Sequence, residues 1–398
     1  MKMNPELHKA VSFFTRDTEI MSGLLLVCEA AGRTESAMDG DVREDSVFDL
    51  ASLTKLFTGL CAMRLKEDGL LDFSRSVFSY DSRFTELKDV TVEQLMGFAV
   101  ELRTPGRVDR CASREEALQC LFGTFSVGAP KGRAYSDIPS MVLKYVIESA
   151  AGTDFMETVR KTILVPAGMH ETWALVPQDR IQDCLSYDSE YRIEGSSWIH
   201  RTGLRTGVPH DPKAALIQAG TEDLCGHAGL FSTAGDMAKF CRAVLDRKIV
   251  SDSALREMAV NRTGRLRPDG SYTQYLGYQC YVRHPDQYYS EIPRYMGLQA
   301  FGNAGFTGNH LSLDPENGCF VFFLGNRVRD RLTVLLPEAG KTLEDYGLQR
   351  DGSGRVAWQD GKMIPSSVQY VHQKDEHLHR IVAEVLGLPE IHCCFSGK

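Results

Sequence analysis

A serine with a lysine three residues on, Ser52-Leu53-Thr54-Lys55, runs into the apolar stretch Leu56-Phe57-Thr58-Gly59-Leu60-Cys61-Ala62-Met63. If that stretch is helical, the i, i+3 pair shares one face and the lysine amine can reach the serine hydroxyl, which sets a nucleophile beside a base. A Ser-x-x-Lys tetrapeptide turns up roughly once or twice in ~400 residues of average composition, so the spacing alone says little. Its setting says more. Val47-Phe48-Asp49-Leu50 reads as the end of a strand, and Gly69 stands where a helix C-cap would. Ser52 then marks the handover from strand to buried helix, where free backbone N–H groups and the positive end of the helix dipole favour an alkoxide and a nearby oxyanion. The commoner use of such a tetrapeptide is an N-cap serine followed by a surface lysine. Both readings stand at this point.

The surrounding elements must hold the pair in place. A helix is predicted around Pro5 to Phe14, then a strand over Gly23 to Cys28 that returns through Val47 to Leu50, with the Met38-Asp39-Gly40-Asp41 turn in the connection. Helical patterns dominate from Thr91 to about Gly168: Thr91 to Met96, Arg114 to Leu121, and Pro139 to Ala151 ended by Gly152. Asp179 to Gly229 carries few periodic signals and reads as a long irregular segment, of the kind that often walls a site. A helix from Thr233 to about Asp246 follows. Strand patterns then return over Tyr275 to Val282, His310 to Leu313 and Cys319 to Leu324, the last two joined by the Asp314-Pro315-Glu316-Asn317-Gly318 turn. A final helix is expected from Lys374 to Leu386. Sheet residues from both ends of the chain thus enclose a mainly helical middle.

At 398 residues, 43% hydrophobic and 25% charged, the chain reads as ordinary globular protein, either one large composite domain or two closely packed ones. A formal net charge of −8 with interspersed signs offers neither a basic stripe for nucleic acid nor a polybasic run for a membrane surface. A small-molecule or short-peptide substrate fits better. No stretch has the length of a signal-peptide core or a membrane span. Eleven cysteines, an odd number without Cys-x-x-Cys pairs and with Cys393 next to Cys394, argue against a disulfide scaffold and for a cytoplasmic setting. His372, His377 and His379 sit in a charged helical stretch that reads as a solvated face rather than a metal site. The oligomeric state is not legible.

Phe48-Asp49-Leu50-Ala51-Ser52-Leu53-Thr54-Lys55 resembles the serine motif of the β-lactamase and penicillin-binding protein superfamily, specifically the class C β-lactamase-related branch with its esterases and peptidases. Tyr135-Ser136-Asp137 is similar to that family's Tyr-x-Asn element, and Ile163 to Met169 to its Pro-Leu-Gly-Met turn. Val208 to Ala214 and Gly226 to Ala234 look like an active-site loop and a helix start found in one subgroup. Gly302-Asn303-Ala304-Gly305-Phe306-Thr307-Gly308 occupies the place of the third motif, Lys-Thr-Gly or His-Thr-Gly. The likeness spans about residues 20 to 330 in the family's order.

The resemblance implies an α+β fold, an antiparallel sheet flanked by helices and joined to an all-helical domain, with the site in the cleft between. Residues 1–75 and 235–398 would form the discontinuous sheet domain and 76–234 the helical one. It implies a serine hydrolase that cleaves an ester or small amide without metal or organic cofactor. Ser52 would be the nucleophile, Lys55 and Tyr135 would move protons, and the backbone N–H groups of Ser52 and Phe306 would form the oxyanion hole. Asp137, His227, Asn303, Ala304 and Gly305 would line the substrate pocket, with His210 a further pocket candidate.

Three departures bear on substrate. Asn303-Ala304-Gly305 has neither the cation nor the hydroxyl of Lys-Thr-Gly, which points away from penicillin or D-Ala-D-Ala and toward a substrate without the carboxylate that motif holds. Asp137, in place of asparagine, either raises the Lys55 pKa or serves mainly to orient the amine. Leu95-Met96-Gly97-Phe98-Ala99 replaces Leu-Leu-Thr-His-Thr-Ser-Gly and predicts an altered pocket wall. Three other outcomes share these residues: an acyltransferase, a D-amino-acid peptidase or β-lactamase working through the same acyl-enzyme, and a non-catalytic ligand-binding homologue.

Overall fold

The structure, a computed structural model, describes residues 3–286 and 290–389; Cys393 and Cys394 lie outside them. Helix α1 (Pro5–Ser12) begins at Asn4, whose Oδ1 accepts the N–H groups of Glu6 and Leu7 at 3.0 and 3.2 Å. Pro5 opens the helix, where its missing donor costs nothing. Strand β1 (Gly23–Ala30) is buried along almost its whole length. Its return strand is not Val47 to Leu50 but β2 (Arg33–Gly40), reached through the two-residue turn Ala31-Gly32 with φ +50° and +76°. That pair of positive φ values matches the right-handed twist of a hairpin. The strand escaped the sequence reading because it lies at the sheet edge, where the polar run Arg33, Thr34 and Glu35 breaks the apolar alternation. Val47–Asp49, strand β3, pairs instead with Phe231–Thr233.

Helix α2 (Thr54–Glu67) is buried on nearly every side and ends before Gly69, which takes φ +72°. Against it packs α5 (Ile138–Ala151), stopped by Gly152 at φ +67°; α3 (Val92–Met96), opened by a Thr91/Gln94 capping box, packs on α5 in turn, and α4 (Arg114–Phe122), capped by Ser113, contributes Ala117 and Leu121 to the same core. Leu56, Phe57 and Leu60 of α2 share one continuous core with Met141, Val142 and Val146 of α5 and with Leu25 and Val27 of β1. The helix that carries the serine motif is thus the central post of the molecule.

The segment expected to be irregular contains a hairpin, β4 (Glu190–Glu194) and β5 (Ser197–Arg201), and helix α6 (Pro212–Gln218). The charged ends of β4 masked it: Glu190 is fully buried and satisfied by His210, Arg192 and Thr333 rather than by water. Strand β6 (Phe231–Thr233) leads into α7 (Ala234–Leu245) with Thr233 as N-cap. The largest sheet is antiparallel and six-stranded. Its order is β7 (Tyr281–Val282), β8 (Phe301–Ala304), β9 (His310–Asp314), β10 (Cys319–Gly325), β1, β2. The expected Tyr275 to Val282 strand is cut to its last two residues. Gly277 N–H bonds Cys280 O at 3.0 Å in a tight turn where Gln279 takes φ +56°, and a Cβ at Gly277 would meet Met258 O.

Strand β11 (Arg331–Leu336) runs parallel to β4. The C-terminal helix starts at Tyr370, before the expected Lys374, with a helical turn over Tyr370–Gln373, widens over Lys374–His379 and continues as α8 (Arg380–Leu386). Its face is not solvated throughout. Lys374 and His379 are buried, Leu378 and Val382 pack on Leu7, Val11 and Phe14, and His377 stacks on Phe13 at 4.1 Å. The nine cysteines among the described residues are free thiols. No helix among those residues is long and apolar enough to cross a membrane.

Candidate active site

Ser52 lies in a single 3-10 turn, Ala51–Leu53, at the head of α2. That turn needs support, because Ala51 takes φ +47°, a left-handed conformation unfavourable to alanine. The buried Asp49 carboxylate supplies it, accepting the Ala51 N–H at 2.8 Å on one oxygen and the His210 N–H at 2.7 Å on the other. Lys55, one helical turn on, is fully buried and points back to the serine. Its Nζ donates to Ser52 Oγ at 3.0 Å, to Asp137 Oδ1 at 2.8 Å and to His227 O at 3.3 Å, and stands 4.8 Å from the centre of the Tyr135 ring. The surface-lysine reading is excluded by burial alone.

Burial pushes the Lys55 pKa down, but Asp137 and Tyr135 outweigh it and the net shift is upward. Burial likewise works against the Asp137 carboxylate, yet Lys55, His227 and Lys213 hold its carboxyl well below the ordinary range. The pair therefore rests as ammonium and carboxylate, and Asp137 both orients Lys55 and keeps it charged. A chain of alternating charges backs it. Lys213 Nζ lies 3.1 Å from Asp137 Oδ2 and 3.0 Å from Asp211 Oδ2, and Asp211 Oδ1 lies 3.0 Å from His227 Nε2. Burial opposes a charged His227, but Asp211 more than offsets this and raises the imidazole to about 10. Ligand-type atoms of Asp137, Asp211 and His227 fall within 4.8 Å of one another. Two ammonium groups, Lys55 and Lys213, already pair with these carboxylates. The donor set is that of an ion-pair network.

Tyr135 is held by stacking: Phe98 lies 5.4 Å from it and Tyr281 5.1 Å, both nearly parallel. Phe98 belongs to the segment that departs from the family pattern, and the wall it forms is the tyrosine's support. The Tyr135 hydroxyl donates to Asn303 Oδ1 at 3.2 Å, and Asn303 Nδ2 donates to Gln279 O at 3.3 Å. Asn303, at the third-motif position, thus orients the tyrosine from a fully buried place in β8.

A pocket of about 400 Å³ opens over Ser52, lined also by Tyr135, Asp137, Ala304, Gly305 and Phe306. Lys55, His227 and Asn303 lie buried beside it and are not among its lining residues. His210 does line it, with its ring stacked on Phe306 at 5.6 Å. Lys213 and Arg327 line it as well. Lys213 belongs to the Val208 to Ala214 stretch that resembles an active-site loop, though nothing there singles it out as a site residue, and Asp211-Pro212 before it is an N-cap followed by a proline at the first helical position. Nothing local marks Arg327.

Gly305 sets how closely β8 approaches the serine turn. A Cβ there would sit 2.8 Å from Leu50 O and 3.4 Å from the Ala51 Cβ, while Thr307 Oγ1 and Asn309 Nδ2 fasten the following loop to Asp49 O at 3.0 and 2.6 Å. Gly305→Ala is expected to force these segments apart. Stability should fall by about 1–3 kcal/mol, and kcat on an activated ester by roughly a hundredfold, as for a small misplacement of a reacting group. Thermal melts read beside ester kinetics check both effects.

A family profile described as Beta-lactamase matches residues 22–339, from the edge of β1 to beyond β11 and across the Ser52, Tyr135 and Asn303 segments. The chain belongs to the β-lactamase family. Proteins named "Putative D-alanyl-D-alanine carboxypeptidase" from Salmonella gallinarum and Salmonella typhimurium are 25% identical to it over 315 residues, 71% of this chain and 70% of theirs. Among solved structures, a β-lactamase/D-alanine carboxypeptidase from Yersinia pestis, complexed with citrate, superposes with a TM-score of 0.61 at 16% identity, covering 94% of this chain and 98% of that one. The octameric penicillin-binding protein homologue from Pyrococcus abyssi gives 0.59 at 19% identity, covering 80% and 73%. At these identities the two structures bear on the fold, and they agree with the α+β architecture expected of this β-lactamase-family chain.

Proposed function

We propose that this protein is a serine hydrolase that cleaves an ester or small amide through an acyl-Ser52 intermediate. The observation that carries the reading is the 3.0 Å contact between Lys55 Nζ and Ser52 Oγ, made by a fully buried lysine at the head of α2. Ser52 Oγ attacks the substrate carbonyl carbon as its proton passes to the Lys55/Tyr135 pair. The C–O or C–N bond then breaks, and the leaving group takes that proton. Water attacks the acyl-enzyme carbonyl and releases the acid, returning the proton to Ser52. The backbone N–H groups of Ser52 and Phe306, which line one pocket, serve the oxyanion. Lys55 must give up its ammonium proton to act as base, so the reaction draws on the fraction of enzyme in which it is neutral.

Asn303-Ala304-Gly305 supports a substrate whose carboxylate, if it has one, is not held at the third motif. The names of the Salmonella relatives favour one second reading, a peptidase for a small D-amino-acid peptide working through the same intermediate. A fluorophosphonate probe incubated with the full chain tests the nucleophile. Intact-mass and peptide analysis should place one adduct on Ser52, and its absence from folded protein would overturn the proposal.

A further inference from the structure

The pocket wall is more positive than the chain. Its lining holds six cationic side chains and four carboxylates, on a protein whose formal net charge is −8. Most of these cations have nearby partners: Lys213 has Asp137 and Asp211, Arg192 has Glu190, and Lys374 has Glu291 at 2.9 Å. Arg327 has none. It is 8% exposed, and among the described residues no carboxylate stands within ion-pair distance of it. Its Nε donates to Phe306 O at 2.8 Å, its Nη1 reaches Ser367 O at 3.5 Å, and its guanidinium lies 4.8 Å from the Phe306 ring. Carbonyl oxygens and an aromatic face orient the group, while the carboxylates of Glu190 and Glu291 act on it only from beyond ion-pair distance. An arginine stays charged even when buried, and a buried charge without a counter-ion is costly. Arg331 is as buried and is also held by carbonyl oxygens, so burial alone does not mark an anion site; Arg327 differs in lining the pocket over Ser52, where a substrate anion can meet it.

The direction in which that anion lies follows from the chain. Tyr135 contacts Asn303 at one end of the 303–306 segment, and Arg327 contacts Phe306 at the other. We infer that Arg327 reads a carboxylate on the acyl portion of the substrate, at the opposite end of the site from the group that leaves toward Tyr135. This rests on the acyl-Ser52 reading and narrows its substrate class to acyl groups with an anionic tail. The guanidinium fork suits a carboxylate, which it can engage through two parallel N–H donors.

Four esters and a binding measurement test it. 4-Nitrophenyl hydrogen adipate and 4-nitrophenyl hexanoate differ by a carboxylate on the acyl chain; 4-carboxyphenyl and 4-carbamoylphenyl butyrate differ by one on the leaving group. The parent should favour adipate over hexanoate at least tenfold in kcat/KM and show no such preference within the second pair. R327Q should erase the adipate preference, lowering kcat/KM on adipate at least tenfold more than on hexanoate, the shared loss reporting the contact to Phe306 O; R327K should fall between. Calorimetric titration of adipate into S52A, and into S52A/R327Q, reads the same subsite without turnover and should show at least a tenfold loss of affinity. Binding to S52A that R327Q abolishes, with no ester hydrolysed by the parent, would sustain the anion subsite and remove the hydrolase reading. Absence of an adipate preference in the parent overturns the inference without any substitution, even if R327Q fails to fold. A loss confined to the carboxyphenyl ester overturns the acyl-side assignment.

Discussion

Ser52→Ala is expected to lower kcat/KM on an activated ester by about 10⁵-fold or more, and Lys55→Met by nearly as much, with the double variant no worse than Ser52→Ala alone. The reason is geometric. Lys55 Nζ is bound to Ser52 Oγ, so on the proposed mechanism nucleophile and proton carrier would act as one unit, and removing either would leave only binding and the oxyanion donors. Methionine keeps the buried volume that alanine would empty. Lys55→Met also takes one cation from Asp137, which retains Lys213 at 3.1 Å, so the fold should survive with a lowered melting temperature. Steady-state kinetics on 4-nitrophenyl hexanoate, with melting curves for every variant, decide the matter. A Lys55→Met protein within tenfold of the parent would remove the lysine from the chemistry.

Asp137→Asn is expected to move the acid limb of the kcat/KM profile to lower pH. In the parent the Lys55 pKa is raised, because Asp137 and Tyr135 outweigh burial. The neutral amine is therefore gained only as pH rises through that raised value, and the rate should climb into the alkaline range. Removing the carboxylate leaves burial far less opposed, and it leaves two nearby cations, Lys213 and His227, sharing the single Asp211 carboxylate. Both changes disfavour the ammonium. The plateau should fall roughly tenfold, since one of the contacts that aim Nζ is weakened. Rates measured across pH at constant ionic strength show the displacement, and an unmoved limb would mean that some other group titrates.

The two substitutions act on one arrangement, which sets the stability cost of the site beside its use. Asp137, Asp211, Lys213 and His227 form a partly buried network in which each charge has an opposite neighbour, and breaking such a network at one member costs more than an exposed pair would. Arg327, at the pocket, has no carboxylate within ion-pair distance among the described residues, and on the inference above the substrate supplies one.

Much of this was written in local sequence. The helix behind Ser52 follows from an apolar run closed by Gly69, helix α5 from its pattern and Gly152, and the β9–β10 turn from Asp314 to Gly318. Ser52 and Lys55 meet because three residues make nearly one helical turn, which short-range geometry dictates. What local pattern could not show was whatever depended on partners far along the chain. Strand β2 and the β4–β5 hairpin carry charged residues whose strand state is decided by the strands they join. His379 and Lys374, polar and helical, read as solvated until α8 is seen packed on α1. The protonation of Lys55 depends on a carboxylate 82 residues away. That Arg327 has no carboxylate within ion-pair distance among the described residues depends on which acids the fold assigns to Arg192 and Lys374. The chain by itself determined the Ser52–Lys55 contact and the order of the family's motifs, because these rest on spacing. Only the tertiary structure decided charge states and the electrostatic character of the pocket, because the Coulomb and desolvation energies that govern them depend on distance through space and not along the chain.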